Sequence, residues 1–193
     1  MIQHSPIAAV ISDPRTSDNP IIACNQAFID LTGFSREEII GRNCRFLRGP
    51  DTEDDLSQVL RDAIRMRQPA IVEIRNYKKD GSPFRNAVMI APMFDGDGNV
   101  EYFLGSQVEV KDEGALSGTN AQTREQALAR VNTLPPRQRQ ILVEMAGGKL
   151  NKQVAWELGL SERTIKMHRS AMFKTLGVRT SAEAIRVAVE AGL

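Results

Sequence analysis

The sequence predicts two units of different class, an α+β domain in front and an all-α domain of four short helices behind it. Three observations carry that division. Short β-prone runs joined by Asp-Gly turns fall within residues 1–112, no strand pattern appears after residue 134, and the stretch between is small, polar and free of aromatic residues. The length allows it, since 193 residues exceed one domain of ordinary size, and 41% hydrophobic with 25% charged side chains is a globular composition.

In the front part, an opening strand is followed by helical patterns at Asn25 to Thr32, Arg36 to Ile40 and Leu56 to Met66. Val72-Glu73-Ile74 and Ala87 to Ile90 then read as strands, and Tyr77-Lys78-Lys79-Asp80-Gly81 between them carries the Asp-Gly of a hairpin. Asp95 to Asn99 turns the chain once more into Val100 to Val110, which completes an antiparallel meander. Residues 113–133 read as a linker that starts irregular and ends in a short helix, because Thr123 and Gln126 have capping-box spacing ahead of Ala127 to Val131. In the rear part, 134–193, Pro135-Pro136 opens a helix that Gly147-Gly148 stops. Asn151 is expected to cap a second helix ending at Gly159, Ser161 a third running to Leu176, and Thr180 with Glu183 a fourth over Ser181 to Ala191.

Several function classes fall away on composition. The apolar stretch Ile7 to Ile11 is too short to span a bilayer and lacks signal-peptide flanks, so a cytoplasmic protein without a membrane partner is expected. Two cysteines, Cys24 and Cys44, are too few for a disulfide scaffold, and His4 and His168 are too few for a His-built metal site, so no metal is expected. No nucleophile with a base partner is visible, which leaves an enzyme reading without support. The net charge of +1 conceals a partition: −4 over 1–112, zero over 113–133 and +5 over 134–193. An acidic front joined to a basic rear is the asymmetry expected when only the rear meets phosphates.

Within the rear part, the second helix, the Gly159-Leu160 turn and the third helix have the layout of a helix-turn-helix. Ile165, Met172 and Leu176 share one face of the third helix, while Arg163, Met167, Ser170 and Lys174 share another that combines cations with slender side chains. The runs Leu134 to Leu142, Asn151 to Ala155, Ser161 to Arg169 and Lys174 to Val178 resemble the LuxR-type DNA-binding domain of bacterial regulators, over essentially all of 134–193. The resemblance implies that Lys166, Met167 and Ser170 face the bases of double-stranded DNA, with Thr164, His168, Arg169 and Lys174 near backbone phosphates. It also implies that the fourth helix pairs with its twin in a dimer, through Ile185, Ala188 and Val189. Ser170 departs from the longer polar residue often found there.

In the front part, Gly41-Arg-Asn-Cys-Arg-Phe-Leu-Arg-Gly-Pro50 sets a cysteine between an amide and arginines, and Asn76, Asn86 and Gln107 lie on the expected meander. Amides offer both a donor and an acceptor to a polar ring edge, and arginines suit an anionic phosphate. Together with Asp13-Pro14, Asp18-Asn-Pro-Ile-Ile22, Ser35 to Ile39, Arg61 to Ile64 and Tyr102-Phe103, these residues resemble the light-oxygen-voltage (LOV) family, a flavin-binding branch of the PAS fold with a five-stranded antiparallel sheet. The resemblance implies that Cys44 is the photoreactive thiol, that Asn43, Asn76, Asn86 and Gln107 bond the flavin, and that Arg45 and Arg61 hold its phosphate. Val10, Leu47, Ile64, Val88, Ile90 and Phe103 would line the ring. Arg48 stands where the family commonly has Gln; it suits either a third cation on the one phosphate or a flavin with a second phosphate, so FMN is expected while FAD stays open. Cys24 is read as core.

The implied chemistry is addition of the Cys44 sulfur to flavin C4a with protonation of N5, answered by rotation of the Gln107 amide and reversed thermally. The expectation is a light-regulated transcription factor, monomeric in darkness with the sheet covering the fourth rear helix, and dimeric on DNA in light. The alternatives are a PAS-type redox or small-ligand sensor without adduct photochemistry, and a phosphorylated receiver built on Asp54-Asp55. The LOV resemblance also leads one to expect a helix ahead of the core, for which little room exists before Ile7.

Overall fold

The computed structural model describes residues 2–110 and 119–193, the side chains of 119–123 apart. Five strands, β1 (Ala8–Ser12), β2 (Ile21–Cys24), β3 (Ala70–Tyr77), β4 (Pro83–Phe94) and β5 (Val100–Val110), form one antiparallel sheet in the order β2-β1-β5-β4-β3. Between β2 and β3 the chain forms α1 (Gln26–Thr32), α2 (Arg36–Ile39), a 3-10 turn (Cys44–Leu47) and α3 (Asp54–Met66). The sheet and these short helices enclose the front core, as the α+β reading expected. Asp54 and Asp55 lie in the first turn of α3, away from any strand end, which removes the basis for a receiver.

Asn25 organises the start of this domain. Its fully buried side chain accepts hydrogen bonds from the backbone of Ala9 and Phe28, capping α1, and donates to the carbonyls of Ile2, Ser5 and Ile7. The segment ahead of β1 is thereby stapled to the sheet.

Behind it come α4 (Thr119–Asn132), α5 (Pro136–Ala146), α6 (Asn151–Glu157), α7 (Glu162–Leu176) and α8 (Ser181–Ala191). Two expectations need correction here. The connecting helix already includes Thr119, so Thr123 lies inside it; Ala127 and Val131 are buried in the rear core with α8, and that packing outweighs the local capping signal. The irregular first part of the expected linker, 113–118, lies outside the described residues. Asn151 does not cap α6: Leu150 holds the cap position, and the Asn151 amide oxygen accepts from Arg169 instead. Ser161 caps α7 as expected, accepting from Thr164 N at 3.1 Å, and Thr180 accepts from Glu183 N at 3.2 Å to cap α8.

The two domains share a surface. Ile2, Ala9, Ile11, Met89, Ala91 and Leu104 on the front domain form one apolar layer with Ala182 and Ile185 of α8. A second contact lies at the β4–β5 turn, where Phe94 N donates to the Gly148 carbonyl at 3.1 Å and the Gln153 amide to the Asp95 carbonyl at 2.6 Å. Gly148 is required there twice over: its φ is +84°, and a Cβ would stand 2.3 Å from the Pro92 carbonyl oxygen. Among the described residues, no helix is long and apolar enough to cross a membrane.

Candidate functional site

Period-two alternation decides which side chains meet inside the front domain. Along β4, Asn86, Val88 and Ile90 point to one face; along β5, Phe103, Gly105 and Gln107 point to the same one, and Ile74 and Asn76 join them from β3. Opposite stand the 3-10 turn with Cys44 and the inner face of α3 with Ser57, Leu60, Arg61 and Ile64. They enclose a cavity of about 180 Å³, far larger than the gaps a close-packed core leaves. Gly105 keeps the floor flat, because a Cβ there would lie 2.9 Å from Val10 Cγ2.

Thirteen of the fourteen side chains expected around a flavin line this cavity; Leu47 does not, being buried in the apolar layer behind it with Phe28 and Ile39. Ser12, Asn19, Ile21, Ser57, Leu60, Ile74 and Gly105 line it as well, though the sequence had assigned none of them to the cavity. Leu60 and Ile74 carried a signal: one lies a helical turn before Ile64, the other two strand positions before Asn76. Asn19 lies in the Asp18 to Ile22 run that resembles the family, but its place at the cavity depends on a loop in which Asp18 and Asn19 both have positive φ, at +72° and +48°.

The polar groups fall into two sets. Asn86, 0% exposed, donates to Asn76 Oδ1 at 2.8 Å, yet its own Oδ1 has no partner among the described residues. Gln107 Oε1 and Asn19 Oδ1 are likewise buried without a partner. Orphaned acceptors cost about 1 to 3 kcal/mol each, so a surface that concentrates them calls for a ligand bearing N–H or O–H donors. Asn43 belongs to the other set: Nδ2 donates to the Asp18 carbonyl at 2.6 Å and Oδ1 accepts from Arg45 N at 3.0 Å. Its amide is thus engaged within the protein, fixing the turn that presents Cys44.

Cations ring the mouth. Arg45 pairs with Asp18 at 2.5 Å and Arg48 with Asp54 at 2.5 Å, while Arg61, in no ion pair among the described residues, donates to Gln58 Oε1 at 2.9 Å. Arg45 and Arg61 also border a second, open hollow beside the cavity, together with Arg15. Burial pushes the Cys44 thiol up to about 12, so at neutral pH it carries its proton and is not a poised thiolate. Cys24 faces away, fully buried in the layer around Phe28. The donor set suits a flavin: orphaned amide oxygens for a ring edge, apolar walls for the ring, and arginines where a phosphate would emerge.

In the rear domain, Arg163, Lys166, Met167, Ser170 and Lys174 are exposed on α7, and Thr164 and His168 are half-buried beside them. Arg169, expected near a phosphate, is engaged within the domain in the free chain. It turns inward, donating to Asn151 Oδ1 and to Ser181 Oγ at 2.6 Å and stacking 5.7 Å from the Phe173 ring, so it ties together the starts of α6 and α8. Of the residues expected at a dimer contact, Ile185 and Val189 pack toward the front sheet, whereas Ala188 faces the core of its own domain.

Comparison with known proteins finds a family for each of two stretches of the chain. Residues 7–112 match the PAS domain family, and residues 132–188 match the family described as bacterial regulatory proteins, luxR family. Blue-light-activated histidine kinase 1 of Erythrobacter litoralis is 48% identical over 110 residues, covering 57% of this chain and 31% of that protein. Phototropin-2 of Oryza sativa subsp. japonica is 46% identical over 103 residues, covering 53% of this chain and 11% of that one. The matched region thus spans about a third or less of these relatives. The light-state structure of the Aureochrome1 LOV domain superimposes with a TM-score of 0.57 at 36% identity, over 62% of this chain and 92% of that one. The LOV domain of an Erythrobacter litoralis blue-light-activated histidine kinase does so with a TM-score of 0.53 at 38% identity, over 55% and 98%. Sheet order, cavity and sequence converge: the chain belongs to the PAS domain family, as a LOV domain followed by a LuxR-type helix-turn-helix domain.

Proposed function

We propose that this chain is a blue-light-regulated DNA-binding transcription factor that carries FMN, its parts serving sensing and DNA binding rather than catalysis. The observation that supports this most is the convergence of the orphaned Asn86 and Gln107 oxygens on the cavity that also holds Cys44, in a sheet whose opposite face supports α8. When bound, the flavin supplies blue-light absorption and an excited ring able to accept the Cys44 sulfur and proton. The chain's own residues do the rest. Cys44 reaches that moment as a neutral thiol, because burial keeps its proton in place, and so brings sulfur and hydrogen together. Arg45 and Arg61 would hold the anionic end of the cofactor, and the apolar walls would exclude water. Gln107 answers the change by rotating its amide, which exchanges a donor for an acceptor without any change of charge.

The DNA-reading residues of α7 are Lys166, Met167 and Ser170, with Arg163, Thr164, His168 and Lys174 beside them, all on a face the front domain leaves uncovered. Inhibition in the dark therefore acts on α8, whose Ile185 and Val189 are occupied by the sheet and unavailable to a second copy. Illumination releases α8, the released helices pair, and the dimer binds DNA with both reading helices. The protein is a monomer before that step.

The test compares DNA affinity in darkness and under blue light, together with the absorption spectrum. Tighter binding in light is expected in the wild-type chain. Cys44→Ala is expected to keep the yellow chromophore, lose the light-driven spectral change and bind DNA equally under both conditions. Equal affinities in the wild-type chain would sink the coupling.

A further inference from the structure

We infer that Arg186 is the residue through which the rear domain reads strand β5, and that its hydrogen bond to Ser106 is the reading contact. The inference rests on the light-regulated docking proposed above. Gln107 faces the cavity, so Ser106, one peptide group away on the same strand, faces α8. Ser106 Oγ accepts from Arg186 Nη1 at 3.1 Å, and the same nitrogen reaches the Ala87 carbonyl on β4 at 3.3 Å. The Nε side of the guanidinium is held by Glu190, one turn further along α8, at 2.7 Å.

Arg186 is only 7% exposed, and its neighbours across the interface are apolar, with Met89 and Leu104 on the sheet and Ile185 on the helix. Two kinds of contact therefore hold α8. Apolar surfaces can slide by fractions of an ångström at small cost, whereas a hydrogen bond weakens steeply as its angle and length depart from the optimum. A buried guanidinium has no water to replace a lost partner. Ser106 sits in the middle of the sheet, opposite Ala9 on β1 and Met89 on β4, and its carbonyl belongs to the peptide group that carries Gln107. A Gln107 amide that reorients moves that peptide, and the first directional bond on the far side is the one to Arg186. Arg186 touches neither cavity nor nucleic acid and acts through β5; it is a positioning residue.

Amide hydrogen exchange of α8 in the full-length, flavin-loaded chain tests this, in darkness and under steady blue light. In the wild-type chain illumination should raise α8 exchange. Ser106→Ala should raise it already in darkness, by about tenfold, the loss expected of one buried hydrogen bond to a charged donor, and illumination should add little more. The spectral response to light should stay that of the wild type. Arg186→Gln should behave likewise, and Ser106→Ala carries the test if that variant fails to fold. A wild-type chain whose α8 exchange ignores light defeats the docking reading itself. A wild-type chain that responds, beside a Ser106→Ala chain that is protected in darkness and responds just as strongly, defeats the Arg186 inference alone.

Discussion

On the cavity face of the sheet, Asn86 and Gln107 are buried and each keeps an amide oxygen without a partner among the described residues; on the face beneath α8, Ser106 and Arg186 are just as buried and satisfy one another. The same strands supply both faces, often from adjacent residues. What differs is the source of the partner. An interface between two parts of one chain can match its polar groups because both sides are encoded together. A site for a molecule the chain does not encode has to hold its polar groups open. Unmet acceptors beside a cavity, set against met ones under a helix, are thus a physical criterion for which face awaits a ligand.

The largest effect comes from breaking the matched face. Met89→Lys places an unpaired cation under α8, at a cost of about 3 kcal/mol or more, which shifts docking over a hundredfold. Limited proteolysis of the dark chain should then cut freely around α8 while flavin occupancy stays at the wild-type level, since Met89 does not line the cavity. Loss of flavin as well would show that the two faces are not separable.

A smaller effect, of opposite sign, is expected on the open face. Gln107→Leu removes an orphaned acceptor of similar shape, so the flavin-free chain should gain up to ~1 kcal/mol in thermal unfolding. The light-driven gain in DNA binding should fall, because no amide is left to rotate. A less stable flavin-free variant would mean that the Gln107 oxygen has a partner after all.

The smallest effect is the titration of Cys44. The ordinary thiol value is 9.0, and in the fold burial raises it to about 12. A raised thiol favours the protonated fold, so its contribution is intact below about pH 9 and lost as pH climbs toward about 12. Relative to Cys44→Ala, the flavin-free wild-type chain should lose stability only in that window. Thiolate absorbance of Cys44 appearing near pH 9 in the folded chain would show that the thiol is open to solvent.

Much of this arrangement was legible from the sequence, for reasons that differ between its parts. The cavity face was readable because strand periodicity alone sets Asn86 with Val88 and Ile90, and Phe103 with Gln107. The core of α7 was readable because Ile165, Met172 and Leu176 repeat at helical spacing. Arg169 was not, since a helical wheel places it beside the reading face and only the fold brings Asn151 and Ser181 within its reach. Ala188 and Ile185 shared an apolar face in sequence but divide between two cores, one within the rear domain and one against the sheet. Capping signals at Thr123 and Asn151 were local, and tertiary partners overrode both. Nothing near residue 186 in the sequence announces a partner at 106, eighty positions earlier.

The layer under α8 also has a consequence for how the chain is made. Its front-domain members, from Ile2 to Leu104, leave the ribosome long before Ile185 does. At ~5–20 residues per second, the roughly 75 residues between the end of β5 and Ile185 take on the order of 4 to 15 seconds. Throughout that interval an apolar sheet face is folded but uncovered, a surface open to association with neighbouring nascent chains. The helix α8 that restrains the folded protein therefore also shields the sheet face of the growing chain from its neighbours.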